Sequence, residues 1–176
     1  MENITAVSLR TFALLQAPKL EVRVLLGPHN THRAQLETMA AGLRHSVEFH
    51  TDNREIADEM AWADLAISAA GSTSWELAFM GLPSLLITLS ENQHGCAEYL
   101  HRQGIAISLG WHHQVKPVET AAALSALAAD PRRRAEMSSR GRDLIDGRGG
   151  ERVVQAMASV APPVGGEAST LWKRNG

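Results

Sequence analysis

Leu65-Ala66-Ile67-Ser68-Ala69-Ala70-Gly71-Ser72-Thr73-Ser74-Trp75-Glu76 is the stretch that decides the fold. Leu65 to Ala69 reads as a short apolar strand, Gly71-Ser72-Thr73 turns the chain, and a helix runs from Ser74 to Met80. Gly81-Leu82-Pro83 ends that helix, as a glycine just past a helix end followed by proline should. Ser84-Leu85-Leu86-Ile87-Thr88-Leu89 follows as a continuous apolar run, the pattern of a strand covered on both faces.

The same alternation extends in both directions. Upstream, a helix is expected from Ile4 to before Pro18 and a strand over Glu21–Leu26, stopped by Gly27-Pro28. A helix over 31–43 carries Leu36, Met39, Ala40 and Leu43, and Ser46–His50 alternates as a second strand. Asp52 with Glu55 marks a helix start, running to about Ala63 with Ile56 and Met60 one turn apart. Downstream, a helix over 92–103 ends at Gly104, and Ile105–Leu109 is the fifth strand. Pro117 opens a helix with Val118, Ala121, Leu124 and Leu127 on one face, and Asp130-Pro131 opens another. Gly147, Gly149 and Gly150 interrupt it before Glu151–Val160 resumes. The expected architecture is α/β: a three-layer αβα domain over 1–160 with a parallel sheet and helices on both faces. The tail 161–176 has no core-forming pattern and is expected to be disordered.

At 176 residues the chain has the length of one domain, and its formal charge is −2. That balance argues against a dedicated nucleic-acid binder, which shows a basic stripe. The single cysteine, Cys96, excludes an intrachain disulfide and a multi-cysteine zinc site, and fits a reducing compartment. Arg10 and Gln16 break up Ile4–Leu20, so no signal peptide is expected. No apolar run reaches about 18 residues, so no membrane span is expected either. The expected location is the cytoplasm.

In parallel sheets ligands sit at the carboxyl ends of the strands, which directs attention to the turns 27–32, 50–53, 69–74, 90–94 and 110–114. Gly71-Ser72-Thr73 is the strongest of these. Small residues let a ligand approach the backbone, and the start of the following helix offers free N–H groups to a phosphate. Glu76, one turn in, could accept hydrogen bonds from ribose hydroxyls. The competing reading is a capping box, with Thr73 as cap and Glu76 reaching back. Neither a Walker A lysine loop nor a dinucleotide glycine fingerprint is present. Ser90-Glu91-Asn92-Gln93-His94 could read sugar hydroxyls, or Ser90 and Gln93 could form another cap. Gly27-Pro28-His29-Asn30-Thr31-His32 offers two histidines, more often exposed turn residues than acid–base groups. His112-His113 and His94-x-Cys96 lack a third ligand at metal-binding spacing, so no metal or other cofactor is expected. Cys96 lies in an expected helix with no partner base, and reads as buried and inert. Arg132-Arg133-Arg134, balanced by Glu136, reads as a solvated face. Trp62, Trp75 and Trp111 read as packing residues.

Met60 to Ser68, then Gly71-Ser72-Thr73-x-Trp75-Glu76, Gly81-Leu82-Pro83 and Glu91-Asn92-Gln93 resemble the PseG family, UDP-2,4-diacetamido-2,4,6-trideoxy-β-L-altropyranose hydrolases of pseudaminic acid biosynthesis. More broadly, residues 3–158 are similar to the C-terminal domain of MurG-type glycosyltransferases (family 28), a Rossmann-like half of a GT-B fold. The resemblance implies that Gly71, Ser72 and Thr73 bind the diphosphate of UDP or a UDP-sugar and that Glu76 holds the ribose. It places His50 and Thr51 near the base, Asn92 and Gln93 toward the sugar, and Gly27, His29 and Asn30 along an interdomain cleft. Ala70 stands where the PseG pattern has glycine. The resembling enzymes have two domains, and their catalytic histidine belongs to the N-terminal one. The resemblance therefore implies a chain with no catalytic residue of its own, completed by a missing or separate N-terminal half. The expected function is the UDP-sugar-binding half of a PseG-like hydrolase. The alternatives are a glycosyltransferase donor domain, where an acceptor hydroxyl replaces water, or a non-catalytic UDP-sugar-binding partner.

Overall fold

A computed structural model describes residues 3–15, 19–51 and 56–160. The expected stop at Pro18, the Asp52/Glu55 start signal and the tail from Ala161 lie outside the described residues. The elements run α1 Ile4–Leu14, β1 Glu21–Leu26, α2 Arg33–Ala41, β2 Ser46–Thr51, α3 Ile56–Trp62, β3 Ala66–Ala69 and α4 Thr73–Met80. They continue with β4 Ser84–Thr88, α5 Glu91–Arg102, β5 Ala106–Trp111, α6 Pro117–Ala129, α7 Pro131–Leu144 and α8 Gly149–Val160. The chain divides into two units, one ending at Ile145 and the other, which holds α8, starting at Asp146. In the second unit Gly147, at φ 71°, sits in the break before α8, whereas Gly149 and Gly150 open α8 rather than interrupt a helix. Asp146 takes hydrogen bonds from the Arg148 amide and the Arg152 side chain, which hold its carboxyl below the usual range.

All strand pairs are parallel, but the expected single sheet is present as two. One pairs β1 with β2, from Glu21 opposite Ser46 to Leu26 opposite Thr51. The other runs β3-β4-β5, with a register shift between Leu86 and Thr88 that sets Thr88 opposite Trp111. Central β4 is buried at every position, as its unbroken apolar run requires. Successive strand residues face opposite sides, so Leu85 and Leu86 enter different cores. Leu86 packs with Met60, Leu77, Ala78, Ala97 and Leu100 from α3, α4 and α5. Leu85 packs with Ala121, Leu124, Leu127 and Met137 from α6 and α7, and with Leu15. Helices therefore cover both faces of this sheet. A third core joins Ala6 and Leu9 of α1 to Leu26 and Leu36, with Val24, Val47 and Phe49 from the smaller sheet.

Local chemistry sets several boundaries. Gly81 adopts the left-handed region at φ 68°, and the Leu82 amide reaches back 2.9 Å to the Leu77 carbonyl, closing α4 as expected. Val118 does not join its expected face and is exposed. With 3.6 residues per turn it lies about 160° around α6 from buried Thr120. Arg134 is not simply solvated, because it donates to the Leu127 and Ala128 carbonyls and satisfies the end of α6. His45, which the sequence pattern did not single out, is buried. It accepts from the Leu20 amide and lies 3.1 Å from the Phe12 carbonyl, tying α1 to the start of β2. Asp130 caps α7 by accepting from the Arg133 amide at 2.9 Å. Asp130→Ala is expected to cost about 1 kcal/mol in a urea melt. A variant as stable as the wild type would show that the cap contributes nothing.

Candidate functional site

The turn between β3 and α4 carries the strongest candidates from the sequence, Gly71, Ser72, Thr73 and Glu76. The Ala70 amide bonds the Ile87 carbonyl at 2.9 Å, and the Ala70 methyl packs into the core with Leu77 and Leu86. The extra methyl relative to the glycine pattern is thus absorbed by the core. Ser74 and Trp75 amides bond back to Gly71 and Ser72 carbonyls at 3.0 Å, winding the chain directly into the helix. The capping box does not form. Ser72, not Thr73, is the cap residue, and no side chain bonds the first-turn N–H groups. With the Ser74 and Trp75 amides taken by those carbonyls, the Gly71, Ser72 and Thr73 amides ahead of them and the positive helix end face the turn. Glu76 is exposed in the same turn.

The turn after β4 approaches this one. The expected Ser90–Gln93 cap is also absent; instead Gln93 Oε1 accepts the Leu89 amide at 3.0 Å. That bond anchors the carbonyl end and leaves the Gln93 Nε2 group 3.7 Å from where a Cβ on Gly71 would stand. Gln93 thereby adds a neutral donor beside the open helix start. Exposed Asn92 accepts from the Ser90 hydroxyl at 2.6 Å. Next along α5, His94 stacks on Trp111 with ring centroids 5.6 Å apart, and Trp111 lies 6.0 Å from His113. His94 Nδ1 and Thr88 Oγ1 are enclosed without hydrogen-bond partners. Neither the His94–Trp111 stack nor the Gly71–Gln93 approach was apparent from spacing. Each joins residues from different strand ends.

The remaining candidates lie on the smaller sheet. Gly27 and His29 are exposed, and Asn30 accepts the His32 amide at 2.8 Å, shaping an open turn after β1. Arg33 donates to Thr51 Oγ1 at 3.3 Å. His50 Nδ1 is 2.8 Å from Glu59 Oε1, and Arg23 donates to Glu59 Oε2 at 3.0 Å. His50 thus belongs to a charged cluster between β2 and α3. Trp62 and Trp75 are 40% and 37% exposed and do not serve as core residues. Cys96 is half-buried rather than buried as expected, and that burial pushes its thiol up, which favours the neutral form. Among the described residues, no group of three or more His, Cys, Asp or Glu is placed to hold a metal ion. No described helix is long and apolar enough to cross a membrane.

Residues 4–146 match the model of the glycosyltransferase family 28 C-terminal domain. The chain belongs to this family. Among curated members, the UDP-N-acetylglucosamine--N-acetylmuramyl-(pentapeptide) pyrophosphoryl-undecaprenol N-acetylglucosamine transferase of Wolinella succinogenes is 32% identical over 139 residues. That alignment covers 74% of this chain and 40% of the relative. The enzyme of the same name from Xanthomonas axonopodis pv. citri is 33% identical over 149 residues, covering 81% of this chain and 34% of the relative. The family 28 domain therefore spans well under half the length of these relatives. Among solved structures, Acinetobacter baumannii MurG superposes with a TM-score of 0.75 at 19% identity, covering 86% of this chain and 44% of that one. The lipopolysaccharide glycosyltransferase WaaG gives a TM-score of 0.61 at 16% identity, covering 94% and 52%. These likenesses establish the fold, a half of the GT-B type.

Proposed function

We propose that this chain is the donor-binding portion of a glycosyltransferase and holds UDP or a UDP-sugar at the carboxyl ends of β3 and β4. The observation that carries the reading is the uncapped start of α4, with Gln93 beside it. A helix start with free N–H groups suits a diphosphate, and Gly71, Ser72 and Thr73 would supply those groups. Glu76, exposed in the first turn, would accept the ribose hydroxyls, and Asn92 and Gln93 would face the sugar. His50 and Thr51, at the end of β2, would lie toward the base. Gly27, His29 and Asn30, in the exposed turn after β1, would line the cleft toward a second portion. That portion, on the same or a separate polypeptide, would supply the acceptor site and the base.

The relatives reported above are named transferases, which favours an acceptor hydroxyl over water as the attacking group. The PseG-like hydrolase expectation has no such support. The experiment that separates them joins the chain to a complementary N-terminal portion and follows UDP release from UDP-N-acetylglucosamine. Release that depends on an added acceptor supports transfer, and equal release without one would return the reaction to hydrolysis. Catalysis is differential binding, so donor binding by this portion alone gives no turnover.

Glu76→Ala tests the ribose role. It is expected to weaken UDP binding about tenfold, the worth of hydrogen bonds to a charged group, and to leave the melting temperature unchanged. Paired titrations and thermal melts decide. A matched loss of stability would make Glu76 a structural residue instead.

A further inference from the structure

Along β5 the side chains alternate between the two faces of the larger sheet. Ala106 packs in the core beneath α3, α4 and α5, and the Ser108 hydroxyl donates to Glu98 of α5 at 2.9 Å. Ile107 and Leu109 pack in the opposite core, against α6 and α7. Strict alternation would send Trp111 with them. Instead its indole stacks on His94 of α5, with ring centroids 5.6 Å apart and an interplanar angle of 21°. The cause is a bulge. Ser108 stands opposite Leu86 and Trp111 opposite Thr88, so three steps along β5 match two along β4. Gly110 takes the extra position in the left-handed region, at φ 78°, where side chains are strained. The bulge thereby carries Trp111 to the α5 face, where the His113 ring flanks it at 6.0 Å.

The stack falls on the first turn of α5. Ser90 makes no capping bond, Glu91 and Asn92 are exposed, and the buried residues of this helix are Ala97 and Leu100, further along. The turn is fastened by the bond from the Leu89 amide to Gln93 Oε1 and by the His94 ring on Trp111. His94 Nδ1 is enclosed without a hydrogen-bond partner, so stacking sets the ring's orientation. Gln93 is the next residue on the same turn, and its Nε2 is the group that approaches Gly71. We infer that Trp111 is a positioning residue of the donor site. By holding His94 it sets the first turn of α5, and with it the Gln93 amide, against the start of α4. Since Gln93 would face the sugar, Trp111 governs affinity for UDP-N-acetylglucosamine more than for UDP. That preference rests on the donor-site reading, whereas the placement of Gln93 by Trp111 does not.

The test uses the full chain labelled with nitrogen-15, with Gln93→Ala assigning the Gln93 side-chain amide. A nuclear Overhauser contact between that amide and Gly71 is expected in the ligand-free wild type. It should persist in Trp111→Phe, which keeps a ring to stack, and vanish in Trp111→Ala. Gly110→Val, strained in the left-handed turn, should also lose it. Titrations then read the consequence. Trp111→Ala should bind UDP-N-acetylglucosamine about tenfold more weakly, the worth of one hydrogen bond, and keep most of its affinity for UDP. Added to Gln93→Ala it should cost nothing more, as expected when one residue acts through the other. A contact that persists in folded Trp111→Ala, or is absent from the folded wild type, overturns the inference. Additive losses in the double variant, or equal loss of both ligands, do the same. A wild type that binds neither ligand overturns the donor reading instead, and the ligand-free spectra still decide the placement.

Discussion

Gly71→Asp is expected to abolish UDP binding while leaving the fold intact. A Cβ at Gly71 would meet only Gln93 Nε2, at 3.7 Å, an ordinary contact, and its backbone is not in the left-handed region. The substitution therefore introduces no strain. What it introduces is a carboxylate at the open start of α4, where the diphosphate would sit. Facing like charges cost several kcal/mol, so affinity should fall by about 100-fold or more. Gly71→Ala separates charge from bulk and should retain most of the affinity. Titrations of both variants, beside urea melts that match the wild type, give the comparison. Full UDP binding by the aspartate variant would remove the diphosphate from this turn.

Gly141→Val should do the reverse and unfold the chain. Gly141 is buried where α7 crosses α4, and a Cβ there would stand 2.5 Å from the Ala78 carbonyl oxygen. The obstacle is a backbone carbonyl in the last turn of α4, already bonded to the Gly81 amide, so relief requires separating α4 from α7. Overpacking costs about 1–3 kcal/mol even where flexible side chains can adjust. With rigid backbone opposed, the valine variant should exceed that range and lose its cooperative melt. Gly141→Ala is the milder form. An unobstructed helical glycine gains about 1 kcal/mol on replacement by alanine. Gly150→Ala, in open space in the first turn of α8, should show part of that gain, whereas Gly141→Ala should be destabilised. A stabilised Gly141→Ala would mean that the two helices do not approach so closely.

The order of strands and helices was legible because each boundary has local chemistry. Gly81 in its left-handed turn, Pro117 and Pro131 in first turns, and Asp130 as a cap act within a few residues of themselves. The unbroken run of β4 announced burial on both faces. Other features depend on partners distant in sequence. The division into two sheets depends on which strands meet, and no single strand encodes it. The capping boxes at Thr73 and Ser90 satisfied the sequence pattern but not the geometry. Gln93 turned to the Leu89 amide instead, and Ser72 took the cap position. Val118 matched a helical spacing loosely, but the buried stripe runs through Thr120, Leu124 and Leu127. The candidate donor residues were legible as small or polar side chains at strand ends. The approach of Gln93 to Gly71 was not, since β3 and β4 bring those turns together only when paired. The cluster of Arg23, His50 and Glu59 was equally hidden, being assembled from β1, β2 and α3.

Equilibrium dialysis of the folded wild-type chain against UDP tests the central claim most directly. The account predicts saturable binding of one UDP per chain, lost in Gly71→Asp and weakened in Glu76→Ala. A folded chain that retains no UDP at millimolar concentration, or binds it equally well in all three forms, would contradict it.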